Sequence, residues 1–296
     1  MPLIQTLRFI ANHPLNRHRK TQALLGFLKW QIGIRLVPGS VVYEWMPGAR
    51  VIVRRGDTGM TQNLYCGLHD FRDMAYLLHV LTPQDLFIDI GANVGSYTLL
   101  ACGTRGARGY CFEPVPSTYG RLMDNIVINN LSSKVIALNI GISDGEGELV
   151  FTANQNCTNH VIADGEKKEG AIKVPVRSLD SVLRDESPSL LKIDVEGFET
   201  AILDGAKETL GKPSLHSIIM ELNGSGRRYG FNEDKILEKM REYGFSAYEY
   251  EPFTRELRSL AGKNSNSGNT LFLRNEAQIR ERIAHAPRVS IGSHEF

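Results

Sequence analysis

The sequence predicts an α/β protein whose largely parallel, Rossmann-like sheet carries helices on both faces. Two features of the 296 residues predict this class. From Leu86 onward, short apolar segments alternate with amphipathic ones, which is the pattern of a parallel sheet covered on both sides. The first apolar segment runs into a turn of small residues from Gly91 to Gly95, and a helix follows. Sheets of this class bind ligands at such turns.

The predicted elements begin with an extension that precedes the sheet. Residues 1–39 contain six Lys or Arg residues and no acidic residue, and their apolar residues recur at roughly helical spacing. We therefore expect a basic amphipathic N-terminal helical segment. The preferred interpretation is a helix docked on the rest of the chain, and the alternative is peripheral contact of this segment with an anionic membrane surface. Pro47-Gly48 lies between two apolar runs and predicts a β-hairpin.

Residues 40–296 are expected to form one domain built on the sheet. The spacing predicts helices at 73–81, 96–102, 117–129, 199–210 and 233–243, and strands at 86–90, 109–112, 134–142, 190–195, 217–222, 246–250 and 270–273. The polar stretch 145–187 interrupts this alternation and contains two short strand patterns, at 148–152 and 172–176. We predict that this insertion is a surface segment and a substrate lid.

Composition excludes several classes of protein. Hydrophobic residues make up 42% of the chain, which argues against disorder. The 34 Lys and Arg nearly balance the 33 Asp and Glu, so no nucleic-acid partner is expected. No apolar run approaches the ~20 residues of a membrane span, and we expect a cytoplasmic protein with any membrane contact at the inner face. Four cysteines without zinc-site spacing are expected to be reduced: Cys66, Cys102, Cys111 and Cys157.

The turn after the first strand of the sheet is the strongest indication of a ligand site. Its glycines allow a ligand to approach the backbone at the start of a helix. A nicotinamide dinucleotide is one alternative, but its G-x-G-x-x-G pattern needs glycine where the chain has Asn93 and Ser96. A nicotinamide-dependent oxidoreductase is therefore disfavoured.

The turn instead resembles the first motif of S-adenosylmethionine-dependent methyltransferases, D-x-G-x-G-x-G, with Asn93 in place of the middle glycine. Asn tolerates positive φ better than most residues, so the turn can keep its shape. Glu113 closes the next strand, where a carboxylate can accept hydrogen bonds from both ribose hydroxyls. We expect the donor at Asp89, Gly91, Ala92, Asn93, Gly95 and Glu113, with Ser143 and Asp144 near its adenine.

A second motif, LLKIDVEGFE, occupies residues 190–199. Strand alternation puts Asp194 and Glu196 on one side, and the carboxyl end of a central strand points into the ligand crevice. Glu199 falls in the first turn of the next helix, where the helix dipole favours an acid, so we expect a structural role for it. Glu221 ends the following strand and can join the same cluster.

Five segments in order resemble the FkbM family of methyltransferases: GANVGSYT, FEPVPSTYGRLMDNIVINN, SLDSVL, LLKIDVEGFETAILDGA and IIMELN. The resemblance covers about residues 55–275. It implies a seven-stranded class I methyltransferase fold, S-adenosylmethionine as the donor, and a sugar or polyketide hydroxyl as the usual acceptor. Many members carry His after D-V-E-G, whereas this chain has Phe198, so no base is expected there.

Methyl transfer to a hydroxyl needs a group that takes the proton. We expect Asp194, with Glu196, to be that base, or Asp194 and Glu221 to hold a divalent cation that acidifies the hydroxyl. His69 and His160 are further candidates for contact with the acceptor. The predicted activity is O-methylation of a sugar in a nucleotide sugar, lipid-linked glycan or polysaccharide. A small secondary metabolite is the alternative acceptor, a non-catalytic scaffold is the remaining class, and the sequence does not indicate the oligomeric state.

Overall fold

The structure is a computed structural model that describes residues 3–57, 59–155, 158–292 and 294–296. Its N-terminal region contains the predicted hairpin, and the predicted helical segment is divided into two helices: α1 (Leu3–Asn12), α2 (Lys20–Leu36), β1 (Val41–Met46) and β2 (Ala49–Val53). A 3₁₀ turn joins the two helices. Asn16 in this turn donates hydrogen bonds to the carbonyl oxygens of Ile10 and Tyr65, so the bend is tied to the rest of the chain.

The remaining elements contain the predicted alternation, but they divide the predicted helix 199–210 into two and include further short helices and strands that the sequence did not predict. They are α3 (Gly59–Cys66), α4 (Phe71–Val80), β3 (Leu86–Ile90), α5 (Ser96–Thr98), β4 (Arg108–Phe112), α6 (Pro116–Ile128), β5 (Val135–Leu138), β6 (Gly141–Ser143), β7 (Gly147–Phe151), β8 (Ile172–Ser178), α7 (Leu179–Leu183), β9 (Leu190–Ile193), α8 (Glu199–Asp204), α9 (Lys207–Gly211), β10 (Ser217–Glu221), α10 (Glu233–Glu242), β11 (Ser246–Glu251), β12 (Glu256–Ser259), β13 (Asn269–Leu273), α11 (Glu276–His285), β14 (Ser290–Ile291) and β15 (His294–Glu295). Helix α5 continues as wider, π-helical turns over Leu99–Thr104.

Within the described residues, the central sheet has eight strands in the order β12-β11-β13-β10-β9-β3-β4-β5. Strands β5, β4, β3, β9 and β10 are parallel, and β13 runs antiparallel between β10 and β11. These seven strands confirm the predicted Rossmann-like class I sheet, and β12 adds an antiparallel edge. The order reverses between β3 and β9, which is where sheets of this class bind ligands.

Both faces of the sheet are buried, which explains why its central strands are continuously apolar. Phe87 and Leu190 belong to the core that includes α4 and the hairpin. Their neighbours Ile88 and Leu191 belong to the core on the other face, with α8 and α10. Successive residues of one strand therefore point to opposite faces of the sheet and pack in different cores.

The predicted strand 134–142 is wrong as a single element. It divides into β5, in the central sheet, and β6, which joins β8 and β7 in a separate three-stranded sheet. The Asn139 side chain between them donates hydrogen bonds to the carbonyl oxygens of Glu113 and Pro114, at 2.8 and 3.0 Å. These bonds bend the chain away from the central sheet, and the new sheet carries much of the 145–187 insertion.

Three cysteines, Cys66, Cys102 and Cys111, are buried and free, as expected for reduced thiols. Cys157 lies outside the described residues. Across the described ranges, none of the helices combines the length and the apolar character that crossing a bilayer requires.

Gly91 offers a test of the crevice backbone. It has a φ of +79°, and a Cβ there would lie 1.9 Å from the carbonyl oxygen of Asp194. We expect Gly91→Ala to lower the free energy of unfolding by at least about 2 kcal/mol, because it adds both a clash and backbone strain. Urea denaturation measures this change. Gly120→Ala, at an open position within α6, should instead stabilise the protein by about 0.5–1 kcal/mol. Equal stability of the two variants would contradict the close approach.

Candidate active site

The candidate site lies at the carboxyl ends of β3 and β9, where the order of the sheet reverses. Ile90 and Ile193 are the last paired residues, and the Asp194 N–H donates to the Ile90 carbonyl oxygen at 3.0 Å. Beyond this bond the chain turns into α5 on one side and α8 on the other. The divergence of the two connections opens the crevice.

The turn after β3 has the backbone that its sequence predicts. Gly91, Asn93 and Gly95 all have positive φ, at +79°, +51° and +95°. The Gly95 N–H donates to the Ala92 carbonyl oxygen at 2.8 Å, and the Asn93 side chain accepts a hydrogen bond from the Val94 N–H at 2.8 Å. Asn93 therefore adopts the left-handed conformation that a glycine usually provides.

Asp89 holds this turn against the following helix. One of its carboxylate oxygens accepts hydrogen bonds from the Thr98 backbone N–H at 3.0 Å and from the Thr98 hydroxyl at 2.6 Å. Burial raises the pKa of Asp89 to about 6. The structure gives Asp89 a role inside the turn, and its direct contact with a donor stays a prediction.

Glu113 faces the turn from the end of β4. Its two carboxylate oxygens accept hydrogen bonds from the N–H groups of Asn93 and Val115, at 3.0 and 2.9 Å. Burial raises the pKa of Glu113 to about 7. Each oxygen keeps a further lone pair, so the side chain can still accept a hydrogen bond from a ligand.

Three adjoining cavities surround the turn, and they differ in chemistry. A polar cavity of about 270 Å³ lies over Asn93 and includes Arg54 and Arg121. A smaller cavity of about 50 Å³ lies between Glu113 and Asp194. An apolar slot of about 20 Å³ follows, lined by Gly91, Pro114, Ile142, Phe151, Val195 and Phe198 among others.

Ser143 and Asp144 do not line these three cavities. The Ser143 hydroxyl donates to the Asp144 carboxylate at 3.0 Å, and the backbone of Ser143 packs against Gly205. Their neighbour Ile142 lines the apolar slot instead. The predicted contact of Ser143 and Asp144 with an adenine ring stays a prediction that the cavity lining does not support.

The second motif forms a turn rather than a strand end. Strand β9 stops at Ile193, so the predicted strand 190–195 is too long. The expectation that alternation alone places Asp194 and Glu196 on one side is therefore wrong, because Glu196 has a φ of +55°. Glu199 holds this turn by accepting hydrogen bonds from the N–H groups of Val195 and Gly197, at 3.4 and 3.1 Å.

The turn nevertheless brings three carboxylates together. One oxygen from each of Asp194, Glu196 and Glu221 lies within 4.8 Å of the others. Burial and the charge of Asp194 raise the pKa of both Glu196 and Glu221. One buried oxygen of Glu221 has no hydrogen-bond partner among the described residues. Such a cluster can take a proton, and its oxygen ligands also suit a hard divalent cation.

Lys192 is a residue of the candidate site that the sequence analysis did not single out. Its side chain is 1% exposed, and its Nζ donates to Asp194 Oδ2 at 3.0 Å and to Asn269 Oδ1 at 3.2 Å. The ammonium also lies 5.3 Å from the centroid of the Tyr97 ring. Burial lowers the pKa of Lys192, but the nearby carboxylates, Asp194 first, have the larger effect. The pKa of Lys192 is therefore raised above its ordinary value. The available signal was a single charged residue inside an otherwise apolar strand.

The two candidate histidines occupy different environments. His69 Nδ1 lies 3.1 Å from an oxygen of Asp70, and Asp70 accepts a hydrogen bond from the Tyr97 hydroxyl at 3.1 Å. Burial lowers the pKa of His69, but the Asp70 carboxylate outweighs it and raises the pKa. His69 is thus connected through Asp70 and Tyr97 to Lys192 and the crevice.

His160 is held within the insertion. Its two ring nitrogens contact the Thr158 carbonyl oxygen at 2.9 Å and the Glu166 carboxylate at 3.3 Å. Both nitrogens therefore already have partners, and contact of His160 with an acceptor stays a prediction. The insertion itself reaches the crevice, since Phe151 and Asn159 line the cavity beside Glu113.

Comparison with known proteins decides the family. Residues 89–247, more than half of the chain, match the profile described as the methyltransferase FkbM domain. The chain belongs to the FkbM methyltransferase family. Hexuronic acid methyltransferase AglP of Haloferax volcanii is 29% identical over 50% of this chain and 59% of its own length. Methyltransferase sdnD of Sordaria araneosa is 31% identical over 47% of this chain and 66% of its own length.

A third relative covers more of the chain. The 31-O-demethyl-FK506 methyltransferase FkbM of Streptomyces tacrolimicus is 23% identical over 64% of this chain and 84% of its own length. The chain thus spans less than two thirds of the first two relatives. Membership in the FkbM family supports the expected class I fold and removes the support for a nicotinamide oxidoreductase.

An FkbM methyltransferase domain uses S-adenosylmethionine as its methyl donor, and the crevice offers partners for part of that molecule. The polar cavity beside Asn93 suits an amino acid group and the Glu113 carboxylate suits ribose hydroxyls, whereas the slot at Ile142, at about 20 Å³, must widen before it can admit an adenine ring. At Gly91 the backbone of Asp194 lies too close for any side chain, so the turn itself borders the crevice. The polar cavity and Glu113 therefore match parts of the donor, and the position of its adenine stays a prediction.

Glu113 gives the donor site a pH dependence. Below about pH 7 the side chain is protonated, and above it the carboxylate can accept from both ribose hydroxyls. We expect the affinity for S-adenosylhomocysteine, measured by calorimetry, to rise as the pH increases through about 7 and then to level off. Glu113→Gln should remove this rise and weaken binding about tenfold at alkaline pH. A wild-type profile without any pH dependence would contradict the assignment.

Lys192 offers a test of the buried charge. Lys192→Met keeps an aliphatic side chain but removes the cation that faces Asp194, so we expect the free energy of unfolding to fall by about 3 kcal/mol. Urea denaturation followed by circular dichroism measures it. The matched control is Lys173→Met, which removes an exposed lysine paired with Glu148 at 3.8 Å and should leave stability nearly unchanged. Similar losses in both variants would show that the buried cluster does not need its cation.

Proposed function

We propose that the protein transfers a methyl group from S-adenosylmethionine to a hydroxyl of a sugar, within a nucleotide sugar, lipid-linked glycan or polysaccharide. The observation that carries the proposal is the convergence of Asp194, Glu196 and Glu221 beside the Gly91–Asn93 turn. The relative that is named a hexuronic acid methyltransferase supports a sugar as the acceptor.

The bound donor supplies an electrophilic methyl group, and the protein supplies orientation and proton transfer. Glu113 would hold the ribose, and the apolar slot would have to widen to hold the adenine. Asp194 would take the proton of the attacking hydroxyl, a role that typically contributes about 10²–10⁴-fold. Lys192 fixes one oxygen of Asp194, which leaves the other oxygen for the acceptor.

The same carboxylates would hold a divalent cation if the enzyme uses one. Asp194, Glu196 and Glu221 would be its protein ligands, and the cation would acidify the acceptor hydroxyl. The raised pKa of Glu221, caused by burial and by Asp194, reflects a repulsion that a cation would relieve. Inhibition by EDTA, reversed by Mg²⁺ or Mn²⁺, is the result expected for a cation-dependent enzyme.

A small secondary metabolite is the second candidate acceptor. The relative named 31-O-demethyl-FK506 methyltransferase acts on a compound of that kind and matches 64% of the chain. Both candidates are hydroxyl acceptors, so the assignment of Asp194 is the same for each. The two candidates are distinguished by which acceptors in a substrate panel become methylated.

The decisive variant is Asp194→Asn. We expect it to lower turnover by about 10²–10⁴-fold, because it removes the proton acceptor, while S-adenosylhomocysteine binds nearly as before. Transfer of labelled methyl to hexuronic acids, nucleotide sugars, glycans and macrolide polyketides measures turnover. The control is Asp185→Asn, at an exposed aspartate.

Three outcomes would overturn parts of this proposal. Wild-type turnover of Asp194→Asn would exclude that residue as the base. If polyketides were the only compounds methylated, the acceptor would be a small secondary metabolite rather than a sugar. Binding of S-adenosylhomocysteine without methyl transfer to any hydroxyl in the panel would favour a non-catalytic scaffold.

A further inference from the structure

Helix α2 has two apolar faces, and the domain covers one of them. Ile34 is buried, and the Phe27 ring packs edge-on against Tyr65 with centroids 5.0 Å apart. The Gln31 side chain also donates to the Tyr65 hydroxyl at 2.8 Å. These contacts attach the inner face of the helix to the rest of the chain, as the preferred interpretation of the sequence expects.

The opposite face of α2 is apolar and exposed. Its large side chains recur at intervals of three or four residues, which places them in one stripe along the helix. A helix that packs on a protein by one face normally carries charged residues on the other. The stripe consists of Leu25, Leu28, Ile32 and Leu36, which are 57%, 53%, 53% and 77% exposed.

Positive charge surrounds this stripe. At about 100° per residue, Lys29 lies along one side of it and Arg35 along the other. The chain has no acidic residue before Glu44, and all six Lys and Arg residues of that segment are exposed. The rest of the chain has 28 Lys and Arg against 33 Asp and Glu, so its formal net charge is −5 and the net excess of positive charge lies in the N-terminal segment.

We propose that the outer face of α2, with the exposed Leu3 and Ile4 of α1, binds the surface of an anionic lipid bilayer. An apolar stripe flanked by cations is the pattern of a helix that lies in the membrane interface. A second copy of the chain is a poorer occupant, because a two-fold contact through this face would bring like charges together. The proposal concerns the bilayer alone and does not depend on the identity of the acceptor.

The N-terminal helices also contact the active-site network directly. The Phe9 ring of α1 lies 5.3 Å from the His69 ring, between centroids, and His69 contacts Asp70. Asp70 in turn accepts the hydrogen bond from Tyr97, which packs against the Lys192 ammonium. The inner side of the N-terminal helices therefore contacts this network, while their exposed apolar side chains face away from it.

The test uses flotation of the full chain with vesicles of phosphatidylcholine and phosphatidylglycerol, compared with phosphatidylcholine alone. We expect the wild type to float with the anionic vesicles and to be released by high salt. Leu28→Glu/Ile32→Glu should reduce binding at least about tenfold, because it puts carboxylates into the stripe. The matched control is Val127→Glu/Ile136→Glu, at two similarly exposed apolar residues, 57% and 49%, of α6 and β5. It should float like the wild type.

A second pair of variants tests the charge. Lys29→Glu/Arg35→Glu should weaken binding to anionic vesicles about tenfold or more, while Lys235→Glu at an exposed position of α10 should not. Circular dichroism and binding of S-adenosylhomocysteine confirm that every variant is folded. Failure of the wild type to float, or flotation of the stripe variant like the wild type, would overturn the proposal. A dimer in light scattering that the stripe variant dissociates, with no vesicle binding, would assign the face to a second copy instead.

Discussion

The candidate site depends on one buried ammonium group. Lys192 lies inside a central strand, and a charge there is stable only with hydrogen-bonding partners of opposite or complementary character. Its partners are Asp194 at the strand end, Asn269 at the start of β13, and the face of Tyr97. The sheet thus fixes the carboxylate that is proposed to take the proton, so the orientation of Asp194 is set before any acceptor arrives.

The backbone around the crevice is equally constrained. Gly91 approaches the Asp194 carbonyl oxygen so closely that a Cβ has no space, and Asn93 and Glu196 both adopt left-handed conformations. Side-chain hydrogen bonds stabilise these turns, since Glu113 accepts from the Asn93 N–H and Glu199 accepts from the Gly197 N–H. Glu113 and Glu199 are buried acids, and burial raises the pKa of each to about 7. These two acids are costly to bury in their charged form, and their hydrogen bonds hold the two turns of the site in place.

The N-terminal helices differ from the crevice in that part of their apolar surface is exposed. Helix α2 keeps an apolar stripe in contact with water, although burial of such side chains would stabilise the chain by about 25 cal/mol per Å². The proposed bilayer would cover that stripe, and the flanking cations would contact its lipid headgroups. The Phe9–His69 contact connects α1, though not the stripe itself, to residues that reach Lys192.

The sequence by itself determined the alternation of strands and helices, the small-residue turn and the acidic motif at residues 190–199, because burial and backbone freedom leave local patterns. Asn93 is an example, since its tolerance of positive φ is a property of the residue type and can be predicted without knowing what it contacts. The expected meeting of Glu221 with Asp194 and Glu196 follows in the same way from their places at strand ends. Only the tertiary structure decided that β6 leaves the central sheet and that Lys192 pairs with Asn269, 77 residues away. The physical reason is that the order of the strands brings together residues that are distant in the chain, and no local periodicity records that order.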